Sequence, residues 1–151
     1  MKPILIFVII SLLLGMKVPF YAQNYDEALA DSLGADDYGM KSYVLVILKT
    51  GPAKIENKTI RDSLFRGHIN NINKLAKEGS LVVAGPLNKN DMTYRGIFIL
   101  NVKTLEEAQK LLLTDPAIRE KVFETETYIW YGSAALPLYM KYHSQIEKTS
   151  I

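Results

Sequence analysis

Six consecutive residues, Tyr43 to Leu48 (YVLVIL), are apolar without a break. Successive side chains of a strand point to opposite faces. Such a run therefore sets Tyr43, Leu45 and Ile47 on one face and Val44, Val46 and Leu48 on the other. Leaving either face in water forfeits about 25 cal/mol for each Å² of apolar surface. A fold for this chain must cover its sheet on both sides. Two later strands carry the same demand. Ile97 and Ile99 oppose Phe98 and Leu100, and Tyr128 and Trp130 oppose Ile129 and Tyr131.

The segments between these strands supply cover for one side. Thr59 to Lys77 reads as an amphipathic helix, with Leu64, His68, Ile72 and Leu75 sharing a face by their spacing. Gly79 ends it, and SLVVAGP (80–86) follows as a second strand before the polar turn NKNDMTY. RGIFILNV (95–102) is the third strand. TLEEAQKLLLTDP (104–116) is the clearest helix: Thr104 and Glu107 form a capping box, and Pro116 closes it. Asp115 and Pro116 can also cap a short following turn. ETETYIWYG (124–132) is the fourth strand. The order β-α-β-β-α-β predicts the α+β class, with a ferredoxin-like antiparallel sheet and both helices on one face. The other face needs a second cover. The economical one is a second copy, sheet against sheet, which predicts a homodimer with the character of an α+β barrel. The N-terminal helix or the C-terminal tail offers partial cover instead.

The flanks read differently. Lys2 leads into ILIFVIISLLLG, and an alanine precedes Gln23, as in a secretory signal peptide cleaved after Ala22. The run is short for a membrane span, so no membrane association is expected after cleavage, and the alternative is an uncleaved anchor. Losing Lys2 and Lys17 leaves 16 basic residues against 16 acidic, a net charge of zero. Basic and acidic residues are interspersed, so no nucleic-acid surface is expected. There is no cysteine, which rules out a disulfide, a thiol nucleophile or a thiolate metal site. An exported chain of this kind fits a bacterial periplasm. The expected organisation is a signal peptide at 1–22, a helical extension at 23–40, with a helix over Tyr25 to Leu33, an α+β domain at 41–132 and a tail at 133–151. The tail reads as irregular, with mobile last residues.

His68 is the residue to explain, because it lies on the apolar side of its helix. One reading is a neutral core histidine bonded to a backbone carbonyl. The other is a general acid/base at the rim of the cleft between helix and sheet, since an imidazole titrates near neutral pH. Asp115 is the natural partner, because it ends the second helix on the same sheet face. Its own bland reading is a helix cap without chemistry. Spacing alone does not decide whether the two meet. Tyr43, Gly85 and Trp130 are weaker candidates for lining the cleft.

From YVLVILKTGP through GHINNINKLAKEGSLVVAGPL, RGIFILNVKTLEEAQKLLLTDPAI and IWYGSAAL, the chain resembles the YciI-like family. That family is related in fold to the muconolactone isomerases and other dimeric α+β barrels, and the likeness covers roughly Lys41 to Leu136. The resemblance implies that His68 and Asp115 form the family's proposed catalytic pair. It also implies that Ala84, Gly85 and Pro86 help shape the cleft. Members are mostly of unknown activity, and one branch resembles a dehydrochlorinase acting on a chlorinated hydroxyquinol. The leader, the N-terminal helix and the WYGSAAL extension depart from the minimal pattern.

Two function classes follow. The first is a cofactor-independent lyase or isomerase, in which His68 moves a proton on a small cyclic or carbonyl-bearing substrate and Asp115 orients the ring. The second is a module that binds a small ligand, or a partner, without chemistry. A metal site is not expected: there are two histidines, His68 and His143, and one His with one Asp is too few for zinc. No serine sits in a G-x-S-x-G elbow, and LKTGP does not form a phosphate loop.

Overall fold

A computed structural model describes residues 24–149. The expected leader and its cleavage point lie outside the described residues. Helix α1 (Glu27–Leu33) begins where Asp26 accepts from the Leu29 N–H, and it ends at Gly34 in the left-handed region, φ 67°. Strand β1 (Met40–Thr50) leads to helix α2 (Lys58–Lys77), which starts at Asn57, whose side chain accepts from the Ile60 N–H. Strands β2 (Leu81–Pro86) and β3 (Tyr94–Leu100) follow. Helix α3 (Leu105–Leu112) carries the complete Thr104–Glu107 capping box. The single-turn helix α4 (Pro116–Arg119) is capped by Asp115, and strand β4 is Phe123–Ser133.

The sheet order is β2-β3-β1-β4, and all three pairings are antiparallel. This is the ferredoxin-like α+β arrangement the sequence pattern predicts. Residues paired directly across strands share a face, so Val44, Val46 and Leu48 lie on the side of Leu100, Phe98 and Gly96. That side is the core. Val44, Val46 and Leu100 are fully buried, and Leu75 of α2 with Ala108 and Leu112 of α3 close over them.

The opposite face is apolar at its centre, with the Lys49–Glu126 ion pair towards one end, and it is only partly covered. Leu45, Ile47, Ile97 and Ile99 are half-buried, and Tyr128 is 50% exposed. Tyr43 is the exception at 0% exposure: it packs on Trp130 with centroids 5.7 Å apart and donates its phenol O–H to the Ser133 carbonyl at 2.9 Å. The tail corrects the expectation of an irregular segment. It forms a 3-10 turn (Leu136–Tyr139) and then helix α5 (Met140–Ile146). Pro137 stands in the first turn, where its missing N–H costs no helical bond. The Tyr139 O–H donates to the Val82 carbonyl, tying the segment after β4 to β2 at the far edge of the sheet.

Candidate functional site

The site is built where α2 crosses the turn between α3 and α4. Gly67 faces Pro116 there: a Cβ at position 67 would stand 2.5 Å from the proline Cγ. The missing side chain lets α2 approach the turn and brings His68 to Asp115. The His68 Nδ1 lies 2.5 Å from Asp115 Oδ2. Asp115 is 1% exposed and His68 8%. The other carboxylate oxygen, Oδ1, accepts from the Ala117 N–H at 2.8 Å, which is the α4 cap. Both bland readings of the pair are therefore incomplete. Asp115 is a cap and also a partner, and His68 is buried but meets a carboxylate rather than a backbone carbonyl.

A carboxylate at Nδ1 favours the tautomer with its proton there and leaves Nε2 as an acceptor. Nε2 has no hydrogen-bond partner among the described residues, yet none of their fully buried polar side-chain atoms lacks one. His68 lines a pocket of about 570 Å³, and Asp115 does not. Aromatic rings hold the imidazole in place, Phe123 at 5.1 Å and Phe98 at 6.0 Å between centroids, with Phe65 edge-on to Phe123. The rest of the wall is nearly all apolar, from Leu48, Ile55, Ile69 and Val122 among others.

The candidates from sequence divide by sheet face. Gly85 and Pro86 of β2 line the pocket together with His68. Tyr43 and Trp130 do not, which corrects their assignment to the cleft: they are register partners on the face away from α2, and strand alternation puts them there. Burial pushes the Tyr43 phenol above its ordinary pKa. It serves the packing of that face.

The sequence reading missed Arg61, Phe65, Arg95 and Phe123, all of which line the pocket. Arg61, Phe65, His68 and Ile69 recur at one-face helical spacing, so the first two were legible once His68 was placed on the pocket side. Arg95 was not. In the β1–β3 ladder Leu48 pairs with Gly96 but Lys49 pairs with Tyr94, leaving Arg95 as an extra residue in a β-bulge. Strict alternation would set Arg95 on the face opposite Gly96. Among the described residues no three His, Cys, Asp or Glu side chains cluster so as to hold a metal ion.

The family model described as YCII-related domain matches residues 42–130 of this chain. No curated protein matches it. Among solved structures it is similar to the 5-chloro-2-hydroxyhydroquinone dehydrochlorinase of Burkholderia phenoliruptrix AC1100 in complex with 2,5-dihydroxybenzoquinone. That likeness has 16% sequence identity, covers 58% of this chain and 92% of that one, and gives a TM-score of 0.42.

Proposed function

The chain belongs to the YCII-related family, and from that premise we propose that it is a cofactor-independent acid–base enzyme of lyase or isomerase type. Its substrate is a small cyclic or carbonyl-bearing compound. The observation that carries this reading is the 2.5 Å His68–Asp115 contact, made by a histidine that lines an apolar pocket. His68 Nε2 takes a proton from a carbon next to the substrate carbonyl. The C–H electron pair becomes a carbon–carbon double bond to the carbonyl carbon, and the C=O π pair moves onto oxygen, giving an enolate. In a lyase reaction the carbonyl re-forms and a leaving group departs from the next carbon with its own electron pair. In an isomerisation the carbonyl re-forms as His68 returns the proton at another carbon. Asp115 holds the ring in the productive tautomer and stabilises the imidazolium formed in the step. The rival reading, a ligand binder without chemistry, calls for His68 to be satisfied by the backbone, and its partner is a carboxylate instead.

The test is proton exchange. Small cyclic ketones and keto acids are incubated with the protein in D2O, and loss of the C–H signal next to the carbonyl is followed by proton NMR. At least one is expected to exchange, and His68→Ala to slow that exchange by about 10²- to 10⁴-fold. Exchange that survives His68→Ala would sink the mechanism, and so would a panel on which the wild type is no faster than the variant.

We also propose that the mature chain is exported and that two copies associate through the open sheet face. The half-buried Leu45, Ile47, Ile97 and Ile99 support the association, and the apolar run after Lys2 supports export.

A further inference from the structure

We propose that the compound bound in this pocket is an anion, a small ring-bearing carboxylic acid whose carboxylate is received by Arg61 and Arg95. The proposal identifies the substrate class of the acid–base site above, and it rests on that reading for the chemistry alone.

Four side chains give the pocket its polarity: Thr50, Arg61, His68 and Arg95. Two of them carry fixed positive charge, and among the described residues no carboxylate lines the wall. Neither arginine has a carboxylate within ion-pair distance among the described residues. Each is instead anchored by one neutral contact. An Arg61 terminal N–H donates to the Ile55 carbonyl at 3.2 Å, and the Arg95 Nε–H donates to Thr50 Oγ1 at 2.5 Å. These contacts orient the guanidinium groups, whose other donors have no partner among the described residues. A planar guanidinium fork matches a carboxylate in two parallel bonds.

The backbone shows how the second arginine gets there. The β-bulge at Arg95 breaks the alternation of β3, so its side chain joins Leu48, Thr50 and Gly96 at the pocket instead of lying on the opposite face. Bulges beside sites commonly re-aim one side chain in this way. Arg61 comes from the other wall, seven residues before His68 on α2. Both arginines are exposed while His68 is buried, so the charges mark the rim and the imidazole the depth. A ring acid bound with its carboxylate at the rim lays its ring along Phe65, Phe123 and Phe98 towards His68.

Titration calorimetry on the full chain at low salt tests this with benzoate and phenylacetate against benzamide and phenylacetamide. The acids are expected to bind about tenfold more tightly than their amides, and the preference to shrink as salt rises. Arg95→Gln and Arg61→Gln are each expected to remove most of that preference by weakening the acids far more than the amides, and the amide binding that remains reports that the pocket is intact. Amides that bind as tightly as the acids overturn the proposal. So do glutamine variants that keep the full preference, or an absence of binding by all four compounds. The exchange assay separates this from the acid–base reading. Exchange without acid preference overturns the anion proposal alone, and acid preference without exchange overturns the acid–base reading alone.

Discussion

Gly67 does not line the pocket, yet the geometry of the site depends on it. A glycine inside a helix ordinarily costs about 1 kcal/mol relative to alanine. Here the cost is offset by contact, because a methyl group would stand 2.5 Å from the Pro116 ring. Gly67→Ala is therefore expected to act against helix propensity. It pushes α2 away from the α3–α4 turn and lengthens the His68–Asp115 contact. The expected result is a loss of proton exchange of tenfold or more without gain in thermal stability. A variant with raised melting temperature and full exchange would show that the close approach is unnecessary.

At the scale of elements, the turn at Asp115 joins two functions in one carboxylate. Oδ1 caps α4 and Oδ2 holds His68. Asp115→Asn separates them. The amide oxygen still accepts from the Ala117 N–H, but the amide NH2 then faces Nδ1 and needs a lone pair there. The His68 ring is expected to switch to the tautomer with its proton on Nε2, which is no longer a base. Nitrogen-15 NMR of the ring reads this directly, with His143 as a control, and exchange is expected to fall by about 10²-fold or more. Asp115→Ala also removes the cap and is expected to cost about 1 kcal/mol more in denaturant unfolding than the asparagine variant. Equal tautomers in wild type and Asp115→Asn would mean that the carboxylate does not orient the ring.

For the whole molecule, the open question is chemical rather than geometric: what shields the second sheet face. The tail reaches across to β2 through Tyr139, and Tyr43 is sealed by Trp130, yet Leu45, Ile47, Ile97, Ile99 and Tyr128 keep solvent contact. Light scattering on a sizing column is expected to give twice the mass of one chain. Ile97→Lys, which places a charge in the middle of that face, is expected to return it to the mass of one chain while leaving the helix-side core folded. A wild-type chain that runs as a monomer would mean that the tail and solvent suffice.

Much of the fold was legible because it follows from local rules. The uninterrupted YVLVIL demanded two covered faces, Thr104 with Glu107 announced the start of α3, and Asp115-Pro116 marked a capped turn. The identity of His68 and Asp115 as candidates came from their chemistry and from family likeness. Their contact did not, because it depends on how closely two helices approach, and a single missing Cβ at Gly67 sets that distance. Tyr43 and Trp130 were misplaced because alternation gives faces but not which face bears the pocket. Arg95 was hidden for the opposite reason, since a bulge overrides alternation and only the strand register reveals it. The helical tail lay beyond local signals too, because Tyr139 reaches its partner on a strand far away in sequence. Sequence by itself determined the elements, their order and the need for cover. Tertiary structure decided which side chains meet, because close approach and register belong to pairs of elements and not to either alone.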